Sequence, residues 1–118
     1  MLLTEDSAVN RKIGALMLER MGCRVTMAAD GHEAVRMAGS SAYDVIFMER
    51  AMPEMDGVEA TLMIRARQNG GRRVPIIALT AHAGLDTREQ CLSGMDDIVS
   101  KPVSPARLEQ MLRKWLPQ

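Results

Sequence analysis

Five side chains in this 118-residue sequence have the types and spacing to do chemistry together: Glu5, Asp6, Glu49, Thr80 and Lys101. Each closes or follows a short apolar run, which places each at the carboxyl end of an expected strand. If those strands are parallel, three carboxylates, one hydroxyl and one ammonium converge on the edge where open α/β sheets bind ligands. Carboxylates packed together repel, so such a group persists only with a cation to offset it: a hydrated divalent metal, the Lys101 ammonium, or both. Oxygen-only ligands without His or Cys favour Mg²⁺ or a similar hard ion over zinc. The histidines do not compete, since His32 follows a turn and His82 lies in a loop, both expected to be exposed. Each candidate alone also has a plain structural reading: Glu5 and Asp6 as helix caps, Thr80 as a strand-end hydroxyl, Lys101 as a surface lysine. Four such coincidences on one edge are less economical than a site. Lys101-Pro102 adds a candidate cis bond that would aim the ammonium inward.

The elements that must position these groups follow from hydrophobic periodicity. The stretch Tyr43 to Gly57, YDVIFMERAMPEMDG, is central: Val45 to Met48 form a continuous apolar run, the pattern of a strand covered on both faces, and Glu49 ends it. Before it, Leu2 to Thr4 form a very short first strand. A helix follows, with Ser7 or Asp6 as cap, an inward stripe of Val9, Ile13, Leu16 and Met17, and Met21-Gly22 as its end. Arg24 to Ala28 reads as a strand, Asp30-Gly31 as a turn, and Ala34, Val35 and Ala38 as a weaker helix stopping before Gly39. Beyond the central strand a helix is expected from Val58 to Asn69, with Ala60, Met63 and Ile64 inward and Gly70-Gly71 as its stop. Pro75 to Leu79 is a buried strand ending at Thr80, and Leu85 to Ser93 a short polar helix. Asp97 to Ser100 is the last strand. Leu108, Met111, Leu112 and Trp115 mark an amphipathic closing helix. Strand and helix alternate five times with short connections, which demands right-handed crossovers and a parallel sheet.

Composition narrows the function classes. With 47% hydrophobic residues, one core and one domain over residues 1–118 are expected. Fifteen acidic side chains balance fifteen basic ones, so no net field argues for nucleic acid or a membrane surface. No apolar run approaches the roughly 20 residues that span a bilayer, and no leader opens the chain. A cytoplasmic setting is expected, any membrane attachment belonging to a partner or a longer, membrane-anchored parent. Cys23 and Cys91 read as reduced core residues, and Arg65, Arg67, Arg72 and Arg73 as a solvated helix end favourable to the helix dipole. The eleven methionines stand in for the missing aromatics as adaptable packing.

Taken together, TEDSAVN, YDVIFMERAMPEMDG, IIALTAHA and GMDDIVSKP make the whole chain resemble a receiver domain of two-component signalling. The wording is most similar to receivers of hybrid sensor histidine kinases. The resemblance implies a regulatory module and not an enzyme, with an α/β, flavodoxin-like (βα)5 doubly wound parallel sheet of order 2-1-3-4-5. It also implies Mg²⁺ at Glu5, Asp6, the acceptor carboxylate and the Ala51 carbonyl, with Thr80 as switch hydroxyl and Lys101 contacting phosphate. The implied partner is a histidine kinase core or a histidine phosphotransfer domain. The chain departs from the family at the acceptor itself, where aspartate is replaced by Glu49, natural or introduced. Ile98 replaces the usual aromatic three positions before the lysine, and the Thr80 to Lys101 segment is about one residue short. The expectation is a phosphorylation-deficient or phosphomimetic module, with weak Mg²⁺ or none. The alternatives are an active acceptor using Glu49 or Asp56 and, more remotely, a small phosphatase with a carboxylate nucleophile.

Overall fold

Successive residues of the central run face two different cores. Val45 and Phe47 belong to one cluster, Ile46 and Met48 to the other, and all four are buried. Side chains alternate across a strand, so a strand covered on both faces loses the apolar-polar alternation and reads as one continuous apolar run. A computed structural model describes residues 1–68, 73–81, 84, 89 and 94–116.

The described elements are β1 (Leu2–Thr4), α1 (Ala8–Arg20), β2 (Thr26–Ala28), α2 (Gly31–Ser40), β3 (Ile46–Glu49), α3 (Gly57–Arg67), β4 (Ile76–Thr80), β5 (Asp97–Ser100) and α4 (Pro105–Trp115). All strand pairs are parallel and the order is β2-β1-β3-β4-β5. This is the expected flavodoxin-like sheet. Helices α2 and α3 cover one face, burying Ala34, Val35, Ala60 and Ile64 against Leu2, Ile46 and Ile76. Helices α1 and α4 cover the other, burying Ala15, Leu18, Leu108 and Met111 against Leu3, Phe47 and Ile77. Ser7, Asp30, Asp56 and Ser104 cap the four helices, each accepting from the backbone N–H three residues on.

Four expectations are corrected. The inward stripe of α1 is not Val9, Ile13 and Leu16, which are 68%, 47% and 48% exposed. The helix rests instead on Ala15, Leu18 and Gly14, and a Cβ on Gly14 would lie 3.1 Å from Leu3 Cδ2. Small residues bring α1 close to the sheet, whereas apolar periodicity weights the large ones. Helix α2 runs through Gly39 to Ser40, the cost of one helical glycine being only about 1 kcal/mol. Strand β2 begins at Thr26, two residues later than expected, and Met27 is half exposed on this edge strand. The arginine cluster is partly structural: Arg65 is mostly buried and donates to the Gly94 and Val74 carbonyls and to Asp96 at 3.0, 2.6 and 2.7 Å. Arg73 reaches the same carboxylate at 3.1 Å. Together they fasten the end of α3 to the starts of β4 and β5.

His32 is exposed and Cys23 is free and half-buried against the α1–α4 core, as expected. The expected helix from Leu85 to Ser93, the Gly70-Gly71 stop, Arg72, His82 and Cys91 lie outside the described residues, apart from position 89 of that helix.

The turn from β3 into α3 has little freedom. Gly57 donates to the Arg50 carbonyl at 2.8 Å, and a Cβ there would collide with the Glu49 carbonyl oxygen and lie 3.0 Å from Arg50 Cα. Both obstacles are backbone and cannot rotate away. Gly57→Ala is expected to destabilise the protein by at least about 3 kcal/mol, read by urea denaturation, whereas Gly39→Ala, which meets open space, is expected to be neutral or slightly stabilising.

Candidate functional site

The parallel register brings the strand ends to one edge. Thr4 pairs with Met48, Glu49 with Leu79, and Thr80 with Ser100, so Glu5, Glu49, Thr80 and Lys101 follow one another across the sheet. Backbone bonds extend the ladders past the strands: Glu5 N–H donates to the Ala28 carbonyl, Arg50 N–H to Leu79, and Lys101 N–H to Thr80. The Lys101-Pro102 bond is cis.

The centre of the edge is an ammonium held between two carboxylates. Lys101 Nζ donates to Glu5 Oε2 at 2.9 Å and forms an ion pair with Glu49 Oε2. Glu5 and Glu49 are only 3% and 4% exposed. Glu5 is further held by the Ser7 N–H on Oε1, and Arg11 of α1 donates to its carbonyl at 2.8 Å. The two carboxylates also act on each other, each shifting the other's proton affinity.

Two acids around one cation divide unequally. Burial, the Glu5 hydrogen bond and the Glu5 charge push Glu49 up to about 7, and Lys101 only partly opposes this. Burial acts on Glu5 in the same direction, but bonds from Glu49, Lys101 and the Ser7 N–H outweigh it and hold Glu5 below the usual carboxylate range. Burial would lower Lys101; the two carboxylates outweigh it and raise it. The edge therefore carries Glu5⁻ and Lys101⁺ throughout the neutral range, with a proton on Glu49 that exchanges near neutrality.

The remaining candidates sit apart from this centre. Asp6 is exposed, and Ala51 opens an exposed loop. Thr80 is buried at the β4 end beside Lys101. Asp56 accepts from the Glu59 N–H at 2.8 Å as the α3 cap, which commits its carboxylate to a structural task. Ile98 is buried in the α2–α3 core. The expected shortening between Thr80 and Lys101 falls on a stretch mostly outside the described residues.

A hard divalent ion needs several oxygen ligands converging on one point. Here Glu5 and Glu49 converge on Lys101 while Asp6 faces solvent, and among the described residues no three or more of His, Cys, Asp and Glu are placed to hold a metal. As placed, the side chains hold an ammonium, and a magnesium ion would have to compete with Lys101 for Glu5 and Glu49. Sequence reasoning anticipated both cations and missed the contribution of Arg11, which lies on a helical face with no distinguishing pattern. It also missed Asp97, whose carboxylate accepts from Lys114 Nζ and Trp115 Nε1 at 2.9 and 3.0 Å and ties α4 to β5.

Comparison with known proteins gives consistent relatives. The model of the response regulator receiver domain matches residues 1–113. Hybrid signal transduction histidine kinase A of Dictyostelium discoideum is 36% identical over 118 residues, covering 97% of this chain and 6% of that protein. The chain spans 15% or less of the length of the curated relatives it matches here. Among solved structures, the receiver domain of sensor histidine kinase PA1611 from Pseudomonas aeruginosa PAO1, with a magnesium ion coordinated in its active site cleft, is 49% identical with TM-score 0.88. That match covers 97% of this chain and 93% of the other. The receiver domain of Ssk1, solved with the histidine phosphotransfer signalling protein Ypd1 of Saccharomyces cerevisiae, is 28% identical with TM-score 0.88, covering 97% and 86%.

The raised Glu49 sets a pH dependence. The folded chain keeps a proton on Glu49 up to about pH 7, whereas the unfolded chain releases it near the ordinary value of 4.5. This contribution is full below about pH 4.5 and is lost as pH rises through 7. Between about pH 5.5 and pH 8 the stability from urea titration is expected to fall by on the order of 2 kcal/mol. Glu49→Gln, which fixes the protonated shape, is expected to remove most of that fall.

Proposed function

This chain belongs to the response regulator receiver domain family, and from that premise we propose that it is a phosphorylation-deficient, partly phosphomimetic receiver acting through protein contacts. It is a regulatory signalling module related to hybrid histidine kinase systems. The observation that carries the finer reading is the Lys101 ammonium already engaged by Glu49. The proposed roles are Glu49 at the acceptor position, Thr80 as the hydroxyl that follows the charge, and Lys101 as its cationic partner. In this reading the Glu49 charge, one methylene further out than an aspartate's, draws on the lysine that a phosphoryl group would otherwise engage. The site has thereby taken up part of its active electrostatics without covalent change.

The same methylene impairs transfer. It moves the carboxylate outward by roughly 1 to 1.5 Å. In-line phosphoryl transfer rests on positioning, and a misplacement of about 1 Å costs on the order of 100-fold. Protonation near pH 7 weakens Glu49 as a nucleophile as well. The proposed partner is a histidine kinase core or a histidine phosphotransfer domain, supported by the hybrid kinase relatives and by the Ypd1 complex of the Ssk1 receiver.

The test is Glu49→Asp, incubated with a small phosphodonor and Mg²⁺ and read by intact mass. The parent is expected to show little or no phosphoryl addition and the Asp variant a substantial fraction. Equal labelling of both would make Glu49 a competent acceptor and overturn the reading. Labelling of neither would place the defect elsewhere and overturn the claim that Glu49 is the block.

Mg²⁺ is proposed to bind weakly, because it must compete with Lys101 for Glu5 and Glu49. Affinity is expected in the millimolar range, roughly 4 kcal/mol, seen as saturable amide shifts at Asp6 and Glu49. Lys101→Met removes the competing ammonium and is expected to tighten Mg²⁺ binding by about tenfold, or 1.4 kcal/mol. Unchanged or weaker affinity in that variant would show that the lysine does not hold the metal's place.

A further inference from the structure

On the sheet face opposite α1, a groove runs along the surface between α2 and α3. His32 and Arg36, one turn apart, line it on α2, and Met63 and Arg67, likewise one turn apart, line it on α3. Met55, in the loop between β3 and α3, closes the end nearest the charged edge. The groove is shallow: Val35 beneath it is 4% exposed, so an occupant lies along the groove with part of its own surface still in water. Met55 and Met63 are half-buried, and Arg36 and Arg67 are exposed. Neither of these arginines has an acidic partner among the described residues, in contrast to Arg65 and Arg73, which share Asp96. The acids lie toward the other end, where Glu54 is 3.8 Å from His32 Nε2 and Glu59 stands one turn before Met63. The groove is thus apolar in its middle and cationic at the end away from the charged edge.

We propose that this groove docks an acidic amphipathic helix of a protein partner, with apolar side chains on Met55 and Met63 and carboxylates on Arg36 and Arg67. Composition argues for a protein. Arginine and methionine are enriched in protein interfaces and lysine is depleted, and among the described residues the groove has two of each of the former and no lysine. Methionine, unbranched, adapts to differing apolar side chains. The walls select a helix. Their backbone hydrogen bonds are made within α2 and α3, so an extended chain finds no strand edge to pair with, whereas a helix arrives with its own backbone satisfied. Charge selects the acids. Each arginine presents a planar fork that matches a carboxylate, and a basic helix would set like charges against both. The surface uses no group of the charged edge and stands apart from the roles proposed for Glu49, Thr80 and Lys101. It reaches that edge only through Met55: a Cβ on Gly31, the first residue of α2, would lie 2.7 Å from the Met55 carbonyl oxygen, so α2 rests directly on the loop that leaves Glu49.

The probe is a helical peptide of about four turns, with leucines at i, i+4 and i+7 and glutamates beside the last of them, titrated into the methyl-labelled chain. A second version carries lysine for each glutamate, and a third carries alanine for each leucine. The first is expected to give saturable shifts at the Met55, Met63 and Val35 methyls, with Kd at or below about 100 µM, and the other two to bind at least about tenfold more weakly. Its affinity is expected to fall as salt is raised, because both arginines are exposed. Arg36→Glu combined with Arg67→Glu is expected to leave the melting temperature unchanged, to weaken the glutamate peptide about tenfold and to tighten the lysine peptide by a similar factor. Loss of structure does not produce that reversal. Absence of saturable shifts overturns the proposal. So do shifts centred on Ile13 and Leu16 of α1, a lysine peptide that binds the parent as tightly as the glutamate one, or affinities indifferent to the charge reversal. A single-stranded oligonucleotide that binds at Arg36 and Arg67 more tightly than the glutamate peptide would assign the groove to nucleic acid and equally overturn it. The phosphoryl labelling of Glu49→Asp reads the charged edge alone, so neither result decides the other.

Discussion

One ammonium ties the end of β5 to two strands that β5 does not touch. In the order β2-β1-β3-β4-β5, the residue after β5 bonds to the residue after β1 and to the last residue of β3. Two buried carboxylates at adjacent strand ends would otherwise repel in a region of low dielectric. Lys101 offsets them, and the whole edge depends on that. Replacing such a group by apolar residues is often neutral for stability, while removing one partner is costly, about 3–5 kcal/mol. The arrangement therefore specifies a charge state more than it adds net stability.

The charge state is asymmetric for a physical reason. Glu5 has a donor on its carboxylate besides Lys101, the Ser7 N–H, while Arg11 holds its backbone carbonyl. Glu49 is desolvated by burial, lies beside the Glu5 charge and has the lysine as its cation. The acid with more donors ionises first, and its charge then raises the other. Glu49 is consequently the group on this edge whose charge changes near neutrality.

The fold was almost wholly legible because it rests on patterns that survive in one dimension. Continuous apolar runs mark strands buried on both faces, and Ser7, Asp30, Asp56 and Ser104 cap helices through local bonds. Strand ends are likewise sequence positions, so the convergence of Glu5, Glu49, Thr80 and Lys101 could be read from parallel pairing alone. The rest depends on orientation. Nothing in the order Glu5-Asp6 says that the first turns inward to lysine and the second outward to solvent. The Arg65–Asp96 pair joins residues 31 apart, and no periodicity reports such a contact.

The misread face of α1 carries the most information, because its large apolar residues and its packing residues are different sets. A helix that only had to cover the sheet would turn Val9, Ile13 and Leu16 inward and bury more apolar area. This one lies on Gly14, Ala15 and Leu18 and leaves the larger side chains half exposed or more. The consequence is a helix close to the sheet at Gly14, bordered on the α4 side by an apolar groove whose floor, Leu3 and Phe47, is closed to solvent. Glu5 and Lys101 border that groove, so the α1–α4 face and the charged edge share two residues. Whatever alters the seating of α1 acts on Arg11 as well, whose bond to the Glu5 backbone carbonyl helps hold that residue at the edge. The packing of one helix and the charge of one glutamate are in this way parts of a single mechanical unit.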